Sequence, residues 1–443
     1  MVGLLFFFHW LVGLILFTSA LPGLVVRLKF SNRMYHWQRN RTSDERKTAY
    51  YNWILTGDTH AKEVRLFGLG DLFIQRFNQL RRKLRREKLV IARNRSIADI
   101  AAETAATLTV FGSLGWIAYR TVHGRITVGE MVMFFQAFRY GLDNLRNLLG
   151  SLAGLYEDNL FMSDFFEFLD LKPKIQEARN PVPVPRPMKQ GITFKDVEFK
   201  YPSGNRIILD GISFSIAPGE IVALVGENGS GKTTLVKLIC RLYDPRKGMI
   251  TMDGIDLRAF NTTALRREIS VILQDYAHYH FSARENIRLG DISRHPENEQ
   301  IITAAHQAGA DGLIAGLSKG YDTILGKWFE EGEELSIGEW QKIALARMFF
   351  RDAQLVILDE PTSSMDAKSE YEVFNKFHQL LKDHSYILIS HRFSTVRMAN
   401  RILLLENGRI IENGTHEALL KHGGRYAHLF ERHGMPYRYS LTG

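Results

Sequence analysis

The chain has 443 residues, one cysteine and a formal net charge of +9. At about 150 residues per domain, this length predicts two or three domains, and the single cysteine excludes a disulfide framework and fits a reducing cytosol. A net positive charge can indicate nucleic-acid binding, but much of it lies in two blocks, residues 27–47 and 81–95, that each adjoin an apolar stretch. The charge therefore indicates a membrane boundary, and we expect no nucleic-acid partner.

Three apolar stretches occur in the first 150 residues. The first, at about residues 4–26, contains no charged residue and is long enough to cross roughly 30 Å of hydrocarbon. The other two, at about 97–119 and 126–150, are joined by a short connection, which predicts a helical hairpin. We therefore predict three transmembrane helices, with long cytoplasmic extensions, within residues 1–171.

Charged residues occur inside the second and third stretches. Asp99 and Glu103 lie near the start of the second, where we expect them at the membrane interface. Arg139, Asp143 and Arg146 are spaced by four and three residues, on one face of the third helix. Two hypotheses remain open for these three: they neutralise one another near the cytoplasmic boundary, or they face a cavity or another part of the protein.

The basic blocks set the predicted orientation of the helices. Because Lys and Arg concentrate on the cytoplasmic side of a membrane, we place both blocks in the cytoplasm and residue 1 on the far side. An odd number of spans then leaves everything after about Glu157 in the cytoplasm. We reject a cleaved signal peptide, because only Met1 and Val2 form its n-region and neither is positively charged.

A proline-rich segment at about residues 172–190 follows the last apolar stretch and predicts an extended, semi-rigid linker. After it, short β-type runs alternate with helical ones, which is typical of an α/β domain. We predict this domain at residues 191–435 and a C-terminal tail at 436–443. Cys240 falls on the apolar face of a predicted helix, so we expect it in the core.

The segment Gly226–Leu235, GENGSGKTTL, contains the pattern G-x-x-x-x-G-K-[ST]. An apolar run before it predicts a buried strand, and apolar residues at helical spacing follow it. A strand, a glycine-rich turn and a helix N-terminus surround an anion with backbone N–H groups and the positive end of a dipole. We therefore predict that Lys232 reaches the β- and γ-phosphates of a nucleotide and that the Thr233 hydroxyl binds Mg²⁺.

The segment Leu355–Glu360, LVILDE, predicts a second buried strand that ends in two carboxylates. Asp359 at the strand end can reach the Mg²⁺ shell, and Glu360 can accept a proton from the attacking water or orient it. Acidic residues after a strand also serve simply as helix caps. The phosphate-binding pattern upstream favours the catalytic interpretation.

These motifs, together with LSIGE at Leu335–Glu339, resemble those of the ATP-binding cassette (ABC) exporters, which have the signature L-S-G-G-Q at that place. The resemblance is strong from residue 191 onward and looser before it. It implies a multi-domain protein with all-α transmembrane helices followed by an α/β P-loop ABC nucleotide-binding domain. Residues 52–68 resemble the loop with the second coupling helix, and the three spans correspond to the fourth to sixth of a six-span half-transporter.

The resemblance implies a role for each matching residue. Tyr201 matches the aromatic residue that stacks on adenine, Asp366 matches the D-loop aspartate, and His391 matches the switch histidine that contacts the γ-phosphate. The implied nucleotide-binding residues are Tyr201, Gly226, Glu227, Asn228, Gly229, Ser230, Gly231, Lys232, Thr233, Thr234 and Gln274. The implied catalytic residues are Lys232, Glu360 and His391; the implied Mg²⁺ ligands are Thr233, Gln274 and Asp359. The implied signature residues, which close over ATP held by a partner chain, are Leu335, Ser336, Ile337, Gly338 and Glu339.

Two departures from the family pattern bear on activity. Ser336 and Gly338, the implied phosphate contacts, are present, whereas Ile337 and Glu339 replace Gly and Gln. A helix N-terminus does not demand glycine-only backbone angles at Ile337, while Glu339 places a negative charge near a polyphosphate. We therefore expect a working or a weakened signature. Three of the usual six spans are also missing, for which we favour N-terminal truncation over a split gene or a mis-assigned start.

The function implied by the resemblance is that of a multi-pass plasma-membrane exporter subunit, an ATP hydrolase with its nucleotide-binding domain in the cytoplasm. The implied cofactors are ATP and Mg²⁺, and the implied partners are a second half-transporter chain, identical or different, and membrane lipid. The alternative is a truncated or regulatory ABC ATPase that binds ATP but does not transport by itself. A soluble-type ABC ATPase in DNA or translation work fits less well, because the charge-flanked spans and the coupling loop have no role there. The sequence does not identify the transported substrate.

Overall fold

The computed structural model describes residues 10–294, 298–360, 384–390 and 392–434. The chain forms two compact units, unit 1 at Met1–Lys172 and unit 2 at Pro173–Gly443. Unit 1 is helical and unit 2 combines helices with two β-sheets, as predicted for the fold class.

Unit 1 consists of three long helices and one short one. The helices are α1 (Trp10–Thr56), α2 (Asp58–Leu66), α3 (Gly70–Val122) and α4 (Val128–Leu169). The long helices have 47, 53 and 42 residues, so each is about 60 to 80 Å long at a rise of about 1.5 Å per residue. Each therefore extends well beyond a hydrocarbon layer of roughly 30 Å.

The three predicted spans lie in α1, α3 and α4, although residues 4–9 of the first are outside the described residues. By length and composition, α3 alone among the described helices is apolar enough to cross a membrane. The helices pack through a cluster of Ala20, Ile117, Phe134, Phe138 and Leu142. The three-span arrangement thus stays a prediction for α1 and α4.

Unit 2 contains ten strands and nine α-helices in its described part. The strands are β1 (Ile192–Phe199), β2 (Leu209–Ile216), β3 (Ile221–Val225), β4 (Lys247–Met252), β5 (Ile255–Asp256), β6 (Ile269–Ile272), β7 (Leu355–Asp359), β8 (Ser385–Ile389), β9 (Arg401–Glu406) and β10 (Arg409–Gly414). The helices are α5 (Lys232–Ile239), α6 (Thr262–Arg267), α7 (Ala283–Arg288), α8 (Asn298–Gln307), α9 (Asp311–Ala315), α10 (Ile337–Phe350), α11 (Phe393–Val396), α12 (His416–His422) and α13 (Arg425–Gly434). Short 3₁₀ turns occur at Leu257–Ala259 and Gly320–Asp322.

The larger sheet has the strand order β10-β9-β3-β8-β7-β6, and all its neighbouring strands are parallel except β10 and β9. Strands β7 and β8 are buried at every position, because helices cover both faces of a parallel sheet. Leu224 pairs with Ile389 across β3 and β8, and Asp359 pairs with Ile389 across β7 and β8. The carboxyl ends of these three strands therefore lie side by side, where ligands bind in sheets of this kind.

The smaller sheet is antiparallel, with the order β2-β1-β4-β5. Its apolar face and helix α5 form one core with the larger sheet, and Cys240 packs against the edge of this core. Burial raises the pKa of the Cys240 thiol to about 12, so the thiolate is scarce at neutral pH. Cys240 is thus half-buried against the core, close to where the sequence places it.

The proline-rich segment is docked on unit 2. The guanidinium of Arg241, only 2% exposed, donates to the Gln176 carbonyl at 2.7 Å and to the Phe260 carbonyl at 3.0 Å. The Thr262 N–H donates to the Glu177 carboxylate at 3.1 Å. These contacts join the beginning of the segment to the turn before α6.

Candidate nucleotide-binding site

The candidate site begins with the loop between β3 and α5. Gly231 has a φ of +114°, and a Cβ there would lie 2.6 Å from the Leu209 side chain. A Cβ at Gly226 would collide with the Leu405 carbonyl oxygen. The loop can therefore follow this path only with glycine at both positions.

This loop directs backbone donors to one point. The first turn of a helix leaves N–H groups without intrahelical partners, and in α5 these belong to residues 231–234. The Ser230 Oγ is buried and has no hydrogen-bond partner among the described residues. Together they form a cradle with unused donors, which suits a phosphate group.

Lys232 is the cation of the cradle. It is 7% exposed, and its Nζ donates to the carbonyl oxygens of Gly226 at 2.7 Å and Glu227 at 3.0 Å. Burial lowers the pKa of Lys232, although the charges of Glu360 and Asp359 oppose this. A buried ammonium group held by neutral carbonyls favours a neighbouring anion.

Thr233 and Asp359 meet at the other side of the cradle. The Thr233 hydroxyl donates to the Asp359 carboxylate at 2.9 Å, and Asp359 is 2% exposed. Burial raises the pKa of Asp359, and the neighbouring Glu360 and Asp275 carboxylates add to this effect. Among the described residues, no group of three or more His, Cys, Asp or Glu side chains could hold a metal ion. A hydroxyl and one carboxylate suit Mg²⁺, which commonly takes its remaining ligands from phosphate and water.

Glu360 and Gln274 lie at the same sheet edge, after β7 and β6. The Gln274 Nε2 donates to the Glu360 carboxylate at 3.0 Å. Glu360 has a left-handed φ of +52°, a conformation that costs of order 1 kcal/mol in a residue other than glycine and is frequent at functional sites. Its N–H donates to the Ile389 carbonyl at 2.9 Å, which holds the residue at the end of β8.

Tyr201 lies beside the start of α5. Its hydroxyl is 3.1 Å from the Thr234 Oγ1, and its ring makes edge-on contacts with Phe199 and Tyr243. The Lys237 Nζ lies 5.7 Å from the ring centre. The predicted adenine-stacking residue is thus adjacent to the cradle, and the stacking itself stays a prediction.

The predicted signature forms the N-terminus of α10. Ser336 is the N-cap: its Oγ accepts from the Glu339 N–H at 3.3 Å, and its own N–H donates to the Glu339 carboxylate at 2.7 Å. Ile337 is the first helical residue, 68% exposed and without a left-handed φ. The position therefore does not require glycine, as expected. Leu335 is buried and Gly338 is half-buried.

The structure brings Lys232, Thr233, Gln274, Asp359 and Glu360 together. No hydrogen bond or ion pair joins the signature residues to the loop 226–234 within the part of the chain that the structure describes. Asp366 and His391 lie outside the described residues. Glu227, Asn228 and Gly229 are exposed on the cradle's outer rim.

Sequence reasoning missed two neighbours of the site. Arg425 on α13 forms an ion pair with Glu227 at 3.0 Å, and no sequence signal indicates this pairing. The charge of Asp275 raises the pKa of Asp359. Its position directly after Gln274 in the sequence could have indicated that it lies near the site.

The comparisons agree with the geometry of unit 2. A family described as ABC transporter matches residues 209–363. The chain is 34% identical over 413 residues to the subtilin transport ATP-binding protein SpaT of Bacillus subtilis, a match that covers 93% of this chain and 66% of the relative. It is 33% identical over 434 residues to the nisin transport ATP-binding protein NisT of Lactococcus lactis subsp. lactis, which covers 97% of this chain and 72% of the relative.

Two further comparisons, like the first two, extend over both units. An ATP-dependent lipid A-core flippase of Burkholderia pseudomallei (strain K96243) is 32% identical over 436 residues, 97% of this chain and 70% of the relative. A bacterial Atm1-family ABC exporter solved with ATP bound superposes with a TM-score of 0.81 and 27% identity, over 97% of this chain and 74% of that chain. The chain spans about two thirds of the length of the curated relatives that it matches.

Proposed function

The chain belongs to the ABC transporter family, and we propose that it is a membrane-embedded exporter subunit that couples ATP hydrolysis to export of a substrate. Unit 1 supplies long helices with basic blocks beside their apolar segments, as expected at the cytoplasmic face of a plasma membrane. Unit 2 then works in the cytoplasm, where ATP is available.

In this proposal the cradle binds the phosphates of ATP. The N–H groups of residues 231–234, the Ser230 hydroxyl and the Lys232 ammonium group bind phosphate oxygens, and Tyr201 stacks on the adenine. Thr233, Asp359 and Gln274 would hold Mg²⁺, which neutralises negative charge on the transferring phosphoryl group. Glu360 orients the attacking water, and His391 stabilises the charge that develops on the γ-phosphate.

We also propose that a complete site needs a second copy of the chain. The exposed Ser336 at the start of α10 offers a hydroxyl and a helix N-terminus, which suit a phosphate. These groups make no polar contact with the cradle of their own chain among the described residues. Two identical chains placed head to tail would bury two ATP molecules, each between one chain's Lys232 and the other chain's Ser336. Since each copy supplies Glu360 and Ser336, no different partner is required.

Closure of this pair would drive the transport step. The short helix α2 lies between α1 and α3, in the segment that resembles a coupling loop. We propose that α2 docks on the second chain, so that closing and reopening the pair tilts the long helices and alternates access to a path between them. The transported substrate stays open.

The observation that carries the ATPase proposal is the convergence of Lys232, the Thr233–Asp359 pair and the Glu360–Gln274 pair at one sheet edge. The test is ATP hydrolysis by the detergent-purified chain and its Glu360→Gln variant. We expect turnover to fall at least about 100-fold, as for loss of a general base, with ATP binding retained. Glu417→Gln, on the exposed surface of α12, is the control and should leave turnover unchanged.

The possible results separate the alternatives. Turnover in the wild-type chain that depends on Glu360 supports the exporter ATPase. ATP binding without turnover in the wild-type chain would contradict it and favour the regulatory ATP-binding protein.

A further inference from the structure

A cavity of about 380 Å³ lies within unit 1, between α1, α3 and α4. Small residues line part of its wall and leave space between the helices: Ala20, Gly23, Ala102, Ala106 and Gly150. This volume falls within the range of small-molecule sites, about 300 to 1,000 Å³. Neither the nucleotide site nor the core of unit 1 accounts for it.

The wall of this cavity is unusually rich in charge. Three arginines come from three different helices, Arg27 from α1, Arg95 from α3 and Arg146 from α4. Asp99 and Glu103 on α3 are the acidic residues of the lining. The formal balance is therefore three positive charges against two negative ones.

The three arginines differ in whether they have an ion-pair or hydrogen-bond partner. The Arg95 Nε lies 3.6 Å from the Asp99 carboxylate, so this pair is largely neutral. Arg27 and Arg146 have no hydrogen bond or ion pair with any described residue. A Cβ at Gly150 would lie 2.9 Å from the Arg27 Nη1, so glycine at this position leaves room for the Arg27 guanidinium beside α4. Two guanidinium groups thus line one interhelical space without an ion-pair partner among the described residues, and the Glu103 carboxylate lines the same space.

This arrangement bears on the two hypotheses for the charges of α4. No ion pair joins Arg139, Asp143 and Arg146, all of which the structure describes. Arg146 lines the cavity, which supports the second hypothesis for this residue. Charged residues that face a cavity at membrane depth are functional candidates by default.

The position of the arginines indicates where a ligand would come from. Arg27 begins the basic block after the first predicted span, and Arg95 ends the block before the second. Both blocks mark the cytoplasmic boundary of the membrane, at the depth of lipid headgroups. Leu24, Ile100 and Leu149 add apolar surface to the same cavity.

We propose that this cavity binds the phosphodiester headgroup of an amphiphile, with Arg27 and Arg146 as the direct contacts of its oxyanion. A guanidinium group matches the planar pairs of oxygens that a phosphate presents. Asp99 and Glu103 repel additional negative charge, so the site favours a singly charged diester over a dianion. The apolar residues contact the first methylene groups of the attached chain. The proposal rests on the proposed function only in that unit 1 is embedded in a membrane.

The test is calorimetric titration of the delipidated full chain in maltoside detergent. The probes are dihexanoyl phosphatidylglycerol, dihexanoylglycerol with the same chains but no phosphate, and inorganic phosphate. We expect the phosphodiester to bind best. The Arg27→Gln/Arg146→Gln variant should weaken this binding at least about tenfold, as expected for two lost charge-assisted hydrogen bonds. Arg139→Gln is the matched control, because Arg139 is an exposed arginine of the same helix that does not line the cavity.

Three results would overturn the proposal: equal phosphodiester binding by wild type and the double variant, equal binding of the phosphate-free lipid, or tighter binding of inorganic phosphate. Thermal unfolding of the double variant shows whether it is folded, and the single Arg146→Gln variant repeats the test if it is not. ATP turnover measured on the same samples keeps the two proposals separate. Lipid binding without turnover would contradict the proposed function alone, and turnover without lipid binding would contradict this proposal alone.

Discussion

At the scale of single residues, the nucleotide site contains two buried charges whose desolvation is unfavourable. Lys232 and Asp359 are both almost fully buried, and burial shifts the pKa of each toward its neutral form: downward for Lys232 and upward for Asp359. Neither charge gains enough from its neighbours to offset the loss of water. Bound ATP with Mg²⁺ would supply the missing opposite charges, so ligand binding should stabilise unit 2.

Asp359→Asn should therefore stabilise the ATP-free protein while it abolishes Mg²⁺-dependent hydrolysis. The folded-state pKa of Asp359 lies above its unfolded value of 3.8. The buried Asp359 carboxylate therefore does not destabilise the folded protein below pH 3.8, and its destabilising effect is fully present once the pH exceeds the folded-state pKa. Asn cannot ionise, and its oxygen can still accept from Thr233. We expect the free energy of unfolding at pH 7 to rise by about 1 kcal/mol, as measured by urea unfolding.

The same unfolding experiment on Glu417→Gln provides the control, because this residue is exposed. A clear loss of stability in Asp359→Asn would mean that the carboxylate contributes favourably to the ATP-free fold, in conflict with the account of the buried charges.

Much of the residue-level site could be predicted from the sequence. The spacing of Gly226, Gly231 and Lys232 specifies a loop whose geometry depends on local backbone angles, and the apolar run before Asp359 specifies a buried strand. By contrast, the approach of Arg27 to Gly150 joins positions more than a hundred residues apart. Such a contact follows from how the helices pack, which local patterns do not encode.

At the scale of elements, the N-terminus of α10 explains why Glu339 is compatible with a signature. Ser-x-x-Glu is a capping box, in which the Glu339 carboxylate satisfies the Ser336 N–H. The Ser-x-x-Glu pattern is visible in the sequence. Sequence reasoning missed the capping box because Glu339 was considered only as a negative charge near phosphate. Gln can accept the same hydrogen bond without the charge.

Glu339→Gln should therefore keep the cap and remove an electrostatic repulsion. We expect ATP turnover of the purified chain to rise about two- to fivefold, since one unit charge is removed close to a polyphosphate. The comparison variant is Glu339→Ala, which removes the charge and the cap together and should not give this rise. A fall of tenfold or more in Glu339→Gln would show that the carboxylate itself takes part in the reaction.

The proline-rich segment depends on one buried side chain of the turn after α5. Arg241→Met should leave the carbonyls of Gln176 and Phe260 without their donor. We expect the free energy of unfolding to fall by about 2 kcal/mol, because the Phe260 carbonyl is buried and a buried acceptor without a partner costs about 1–3 kcal/mol. Arg288→Met is the control, because Arg288 is an exposed arginine of α7. A change in Arg241→Met no larger than in the control would contradict this role.

Composition predicts a semi-rigid spacer for this segment, which is what its prolines favour in isolation. The structure shows that its first half is fixed by Arg241 and Glu177 instead. The sequence near Arg241 and Glu177 does not indicate these contacts, because a charged residue that is buried or paired cannot be distinguished in a sequence from one that is exposed.

At the scale of the whole molecule, the order of helices followed by an α/β unit could be predicted because it follows from composition along the chain. The bounds of the long helices could not, since α1 continues without a break from an apolar segment into a basic one. Helix formation there depends on packing against α3 and α4 more than on hydropathy.

The central claim is that a complete ATP site forms between two copies of the chain. It is tested most directly by disulfide cross-linking of the Asn228→Cys/Ser336→Cys variant in the presence of ATP and Mg²⁺. Both positions are exposed, whereas the native Cys240 is half-buried and its pKa is raised to about 12, so the introduced thiols are the reactive ones.

We predict an ATP-dependent covalent dimer, twice the 50.8 kDa mass of the chain, that neither single variant forms. A disulfide confined within one chain, or a dimer that forms equally well in the single variants, would contradict the shared site.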